Sequence, residues 1–114
     1  MPVSARVLLP LKPLVFQILL ALSGEERHGW SLIKDIQAQT GGARVMPANF
    51  YRTLRAMMEA GLVEESTRRR PADDDERRRY FQLTMFGQQA ARLEAARLRE
   101  LVADVRMKRL LKKA

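Results

Sequence analysis

The chain of 114 residues has no cysteine, one histidine and one tryptophan. Without thiols it has no disulfide framework and no thiolate chemistry, which suits a reducing compartment and makes the cytoplasm the expected location. His28 stands alone, so no paired His–carboxylate metal spacing exists, and there is no glycine-rich phosphate loop. Catalysis, a bound metal and a cofactor are therefore left without support. The acidic run at residues 73–76 also lacks the spaced ligands and turn glycine of a calcium loop.

Long apolar runs are missing as well. The strongest, LVFQILLAL at residues 14–22, is less than half of the about 20 residues a membrane-spanning helix needs. Arg6 and Lys12 precede it, and Ala21 to Ser23 resembles a signal-peptidase site. Against that reading, Pro13 and Gln17 interrupt the segment, and its removal would strip the chain of its most apolar helix. It reads as a buried core helix, and no membrane partner is expected.

Basic charge is abundant. Lys and Arg number 21 against 13 Asp and Glu, a net charge of +8 with a pI near 10.8. Such a surplus on one small domain points toward a polyanion, although ordinary solubility also accommodates it. The distribution says more. Residues 1–61 hold 7 basic and 4 acidic side chains, residues 62–84 hold 6 of each, and residues 85–114 hold 8 and 3.

Periodicity and breakers divide the chain. A first helix is expected over 12–22, stopped by Ser23-Gly24, and a second over 28–40, with Trp30, Leu32, Ile33 and Ile36 on a core face and Gly41-Gly42 as its C-terminal stop. A short strand is expected at 43–45, then a third helix opened by Pro47 and ended by Gly61. Residues 62–67 and 78–84 read as two strands around a polar loop. Thr84 then caps one long helix from residue 85 to the C-terminus. This order defines a mainly α fold with a small β-hairpin, a winged helix-turn-helix over residues 1–84, followed by a dimerisation helix over 85–114.

In such a fold the helix before the hairpin enters the major groove of double-stranded DNA, and the hairpin loop touches the flanking backbone. Winding 47–60 at about 100° per residue puts Phe50, Leu54, Met57 and Met58 on one arc. Ala48, Asn49, Arg52, Arg55 and Ala56 fall on the other, with Tyr51 at the flank. The expected DNA contacts are Ala48, Asn49, Tyr51, Arg52 and Arg55, with Arg68, Arg69, Arg70, Arg77 and Arg78 on the wing. The acidic residues 73–76 sit at the wing tip, where they would pair with these arginines or face outward. In the last helix Leu98, Leu101 and Val105 follow a seam spacing. Leu14, Ile18, Leu93, Leu98, Leu101, Val102 and Val105 are the expected contacts with a second copy. A cavity lined by Phe16 and Leu98 is the candidate effector pocket, though nothing ionisable marks it. The rival reading is a winged helix used for protein contact without sequence-specific DNA binding. RNA is disfavoured because no aromatic platform is visible in the sequence.

Three segments together, RHGWSLIKDIQAQTGG, PANFYRTLRAMMEAGLVEE and DDDERRRYFQLTMFGQQA, resemble the PadR family of bacterial transcriptional regulators, from about Leu14 to Gln89. The resemblance is to the short members with one C-terminal dimerisation helix. It implies a homodimeric winged-helix repressor, released from its operator by a small molecule or another signal. The chain departs from the family at one step: Pro47-Ala48-Asn49-Phe50-Tyr51 stands where the family usually shows Pro-Gly-Thr-Leu-Tyr. Pro47 and Tyr51 match, whereas Ala48 and Asn49 do not, which implies an altered contact at that point.

Overall fold

The computed structural model describes residues 4–42, 44–67 and 79–113. A 3-10 turn at Ala5–Leu8 precedes helix α1 (Pro13–Leu22), strand β1 (Arg27–His28) and helix α2 (Gly29–Gln39). Helix α3 (Pro47–Glu59), strands β2 (Val63–Glu65) and β3 (Tyr80–Leu83), and helices α4 (Met85–Ala103) and α5 (Val105–Lys113) follow.

Helix α1 starts on Pro13, whose missing N–H belongs to a turn that has no intrahelical partner anyway. Most of its apolar circumference packs against α2, α3 and α4 of the same chain, with Leu20 left exposed. Ile18 and Leu19 are fully buried there, with Leu32 and Ile36 from α2 and Phe50 from α3. Each such side chain contributes about 1.5–3 kcal/mol relative to its exposed state. These residues form the core against which the other elements are set.

The end of α3 is a complete Schellman motif. Gly61 N–H donates to Met58 O at 3.1 Å and Leu62 N–H donates to Met57 O at 2.9 Å. The motif needs a left-handed residue at position 61, where Gly61 has φ of +79°. Leu62 is thereby turned into the core beside Met57, and the chain continues directly into β2. The sheet is antiparallel in the order β1-β3-β2, with Val63 opposite Leu83 and His28 opposite Tyr80.

Three sequence expectations are corrected here. The third strand lies at Arg27–His28, between α1 and α2; of the expected 43–45, residues 44 and 45 are described and form no strand. Residues 44–46 pair with no strand, and Val45 N–H is instead held by the Gln37 side chain at 3.0 Å. The C-terminal helix is not continuous. Asp104 has extended backbone (ψ 137°), and its Oδ1 accepts from Arg106 N–H at 2.8 Å, so it caps a separate helix α5. Trp30 is not core: its side chain lies outside α2 and is 57% exposed.

Helix α4 docks through its first three turns. Thr84 caps it by accepting from Gly87 N–H at 2.9 Å, while the same hydroxyl donates to Gly61 O at 2.5 Å. A Cβ at position 87 would stand 2.0 Å from the Leu62 carbonyl oxygen, so only glycine fits. Further along, buried Glu94 accepts from Leu11 N–H at 2.9 Å and pairs with Arg97, tying the N-terminal segment to α4. The Arg97 guanidinium holds the Glu94 carboxyl below the usual carboxylate range; burial opposes this and the Leu11 N–H assists it.

Two outcomes follow from α4. Gly87→Ala lowers stability by about 1–3 kcal/mol or more, because backbone must move to admit one methyl group, whereas Gln88→Ala on the exposed side does not; thermal melts monitored by circular dichroism compare them. Glu94 has a depressed folded-state pKa, so its contribution is present above the ordinary carboxylate range and is lost as pH falls through the lower folded value. Glu94→Ala therefore costs about 1–3 kcal/mol near neutrality and makes the difference from the unsubstituted protein shrink toward acid pH. Urea unfolding from pH 7 downward measures this, and a difference that stays constant to low pH would refute the assignment.

Candidate nucleic-acid interface

Helix α3 divides as its sequence requires. Phe50, Leu54 and Met57 are buried, while Ala48, Asn49, Tyr51, Arg52, Arg55 and Ala56 are exposed. Proline at its first turn and the glycine stop after Ala60 fix the length of this face. Among the described residues, the side chains of Asn49, Arg52 and Arg55 have no hydrogen-bond or ion-pair partner. Their donors and one amide acceptor face outward, open to water or to a ligand. Glu59, absent from the expected site, lies on the same face and is exposed. Its spacing, seven residues after Arg52 and four after Arg55, carried the signal. It places a carboxylate beside the cationic stretch.

Tyr51 is fixed from two sides. Its ring meets Phe50 edge-on at 5.0 Å, and its hydroxyl lies so close to α2 that a Cβ on Gly29 would come within 2.7 Å of it. His28 caps α2, its Nδ1 accepting from Ser31 N–H at 3.2 Å, in agreement with a helix-start role. The start of α2 therefore rests on the flank of α3. A groove of about 630 Å³ opens along this junction, lined by Trp30, Tyr51, Arg55, Met58, Arg79 and Phe81 among others.

The base of the wing is braced by Arg79. It forms two hydrogen bonds with Glu65, at 3.1 and 2.9 Å, and its guanidinium lies 5.4 Å from the Phe81 ring centroid. That pairing keeps the Glu65 carboxyl below its ordinary range. Arg68, Arg69, Arg70, Arg77, Arg78 and the acidic residues 73–76 lie outside the described residues.

The side chains expected at a second copy are distributed unequally. Ile18 is fully buried within its own chain, and Leu14 and Leu93 are half-buried against the same core. Leu98 and Phe16 are half-buried too. Leu101, Val102 and Val105 are exposed, as are Leu110 and Leu111 on α5.

Three helices with an exposed third helix, followed by an antiparallel wing, place the protein in the winged helix-turn-helix class. Residues 18–93 match the model of the transcriptional regulator PadR-like family, and the chain belongs to that family. No curated protein sequence matches the chain. Among solved structures, RosR of H. salinarum in its S4 complex is 25% identical over 96% of this chain and 91% of that one, with a TM-score of 0.71. A transcriptional regulator from Clostridium thermocellum is 18% identical over 98% and 97%, with a TM-score of 0.65. Bacillus subtilis PadR in complex with operator DNA is 19% identical over 73% of this chain and 46% of that one, with a TM-score of 0.58. The last two likenesses are of fold. RosR is archaeal, so similarity reaches beyond the bacterial members that the sequence resemblance suggested.

The Gly29–Tyr51 contact yields a double-substitution test. Gly29→Ala must displace the tip of the exposed Tyr51 ring and lowers stability by no more than about 1 kcal/mol, the low end of the range for overpacking. Tyr51→Phe in the same chain recovers part of the loss, and chemical denaturation of the four proteins gives the coupling. Strict additivity would mean that the two residues do not constrain each other.

Proposed function

We propose that this PadR-like regulator is a homodimeric repressor that reads a pseudo-palindromic operator, with helix 47–60 in the major groove and the 68–79 wing on the flanking backbone. The observation that carries the reading is the exposed face of α3, where Asn49, Arg52 and Arg55 have no partners among the described residues. A helix presenting small residues, an amide and guanidiniums is suited to base edges and phosphates alike. The operator complex of Bacillus subtilis PadR supports the same use of this fold.

Two half-sites about one duplex turn apart require two reading heads. The proposed pairing surface is the exposed run of Leu101, Val102 and Val105, with Leu98 at its edge. Ile18 is removed from that surface by its burial, and Leu14 and Leu93 contribute only their outer edges. In this reading DNA contact belongs to residues 1–84 and pairing to 85–114, although Gly87, Ala90 and Glu94 of the second segment also complete the core. No described helix is long and apolar enough to cross a membrane, and the proposed setting is the cytoplasm. A small-molecule effector belongs to the proposal only through the family.

Fluorescence anisotropy with the DNA upstream of its own gene, against scrambled DNA across roughly 50 to 300 mM salt, tests the reading. The native fragment is bound in preference, and the preference survives salt. Arg52→Ala costs about 1–3 kcal/mol on that fragment, as loss of a base-contacting guanidinium does, and Asn49→Ala changes which sequences are preferred. Equal, salt-abolished binding to both DNAs and indifference to Arg52→Ala would instead favour a protein-docking module.

A further inference from the structure

We infer that Trp30 and Lys34, on the first turns of α2, form a second DNA contact that grips the sugar–phosphate backbone beside the groove occupied by α3. The inference rests on the DNA-binding reading and adds to it a surface outside α3 and the wing. Trp30 is 57% exposed, and its indole N–H has no acceptor among the described residues. Lys34 Nζ lies 5.5 Å from the centroid of its ring. An indole has a wide apolar face and a donor but no acceptor, which matches a strand offering deoxyribose faces and acceptor-only phosphates.

Position supports the same occupant. In a helix-turn-helix the helix preceding the reading helix crosses the DNA backbone. Here that helix begins at Gly29, where the missing side chain lets the Tyr51 hydroxyl approach its backbone. Trp30 is the next residue, so it stands beside the Tyr51 flank of α3 rather than on a remote surface. The groove of about 630 Å³ between them is lined by Arg55, a guanidinium without a partner among the described residues, and by apolar side chains that include Leu54, Met58 and Phe81. Arg79 also lines it but is neutralised by Glu65, and Glu59 adds one carboxylate. Lys34 and Arg55 thus supply the cationic charge around Trp30, with Asp35 nearby hydrogen-bonded to Gln39.

The chain has one tryptophan, so its emission reports this surface alone. The dimeric or monomeric protein as purified is titrated with the upstream duplex while intrinsic emission and anisotropy of labelled DNA are followed together. The expected result is a change in Trp30 emission with the same midpoint as the anisotropy curve. Trp30→Ala weakens binding about 5-fold or more on native and scrambled duplexes alike, since a backbone contact carries no sequence information, and leaves the melting temperature unchanged. Lys34→Ala lowers the slope of log affinity against log salt by about one. Binding seen by anisotropy with unchanged emission and unaltered affinity of Trp30→Ala would overturn the inference while leaving the DNA-binding reading intact. Absence of any duplex binding would remove both. Tighter binding of single-stranded RNA with a larger emission change would mean a base-stacking platform, and an emission change on protein dilution without DNA would mean a subunit contact; either overturns the backbone assignment.

Discussion

The Leu62 carbonyl is the point on which this structure turns. The glycine-dependent end of α3 delivers Leu62 into the core, and α4 passes so close to its oxygen that position 87 has room only for hydrogen. Thr84 joins the same junction by donating to Gly61 O and accepting from Gly87 N–H. Helix α3, the wing strand β2 and helix α4 therefore meet at one small set of backbone groups. A shift of any one of them would re-aim α3 relative to the wing, and with it the face that carries Asn49, Arg52 and Arg55.

Polar partners are unevenly distributed between the packed parts of the fold and the outer face of α3. Charged groups that hold the fold are paired: Glu94 with Arg97 and the Leu11 N–H, Glu65 with Arg79, Arg27 with the Ala21 carbonyl, Ser31 and Glu25. Those on the outer face of α3 are not paired among the described residues. Exposed ion pairs such as Glu65–Arg79 contribute little to stability, but they orient side chains at the wing base. The buried Glu94 differs, because its removal leaves an N–H without a partner.

Apolar surface divides in the same manner. Leu32, Ile36 and Phe50 close the core around Ile18 and Leu19 of α1, while Leu20 stays exposed and Leu14 and Phe16 are half-buried. Helix α5 packs against α4, and its Val105, Leu110 and Leu111 remain exposed. That uneven burial gives the proposed pairing surface its location.

Local rules were enough for α1, α2 and α3. Their apolar spacing, Pro13 and Pro47 at helix starts and the glycine stops are properties of short segments, and the exposed arc of α3 follows from winding alone. The hairpin strands and the Thr84 cap were legible for the same reason. Other features depended on partners distant in sequence. Arg27–His28 became a strand because β3 runs beside it, and Trp30 stands exposed next to Gly29, where Tyr51 meets α2. Asp104 interrupts the last helix because its carboxylate caps α5 more effectively than it continues α4. Glu94, charged and on a helix, had every local reason to be exposed; only the Leu11 N–H and Arg97 made its burial tolerable. The sequence by itself determined which segments are helices and which face of α3 is polar, because both depend on residue spacing along one segment. The tertiary structure decided which polar groups are buried and where an aromatic stays exposed, because those outcomes depend on what arrives from elsewhere in the chain.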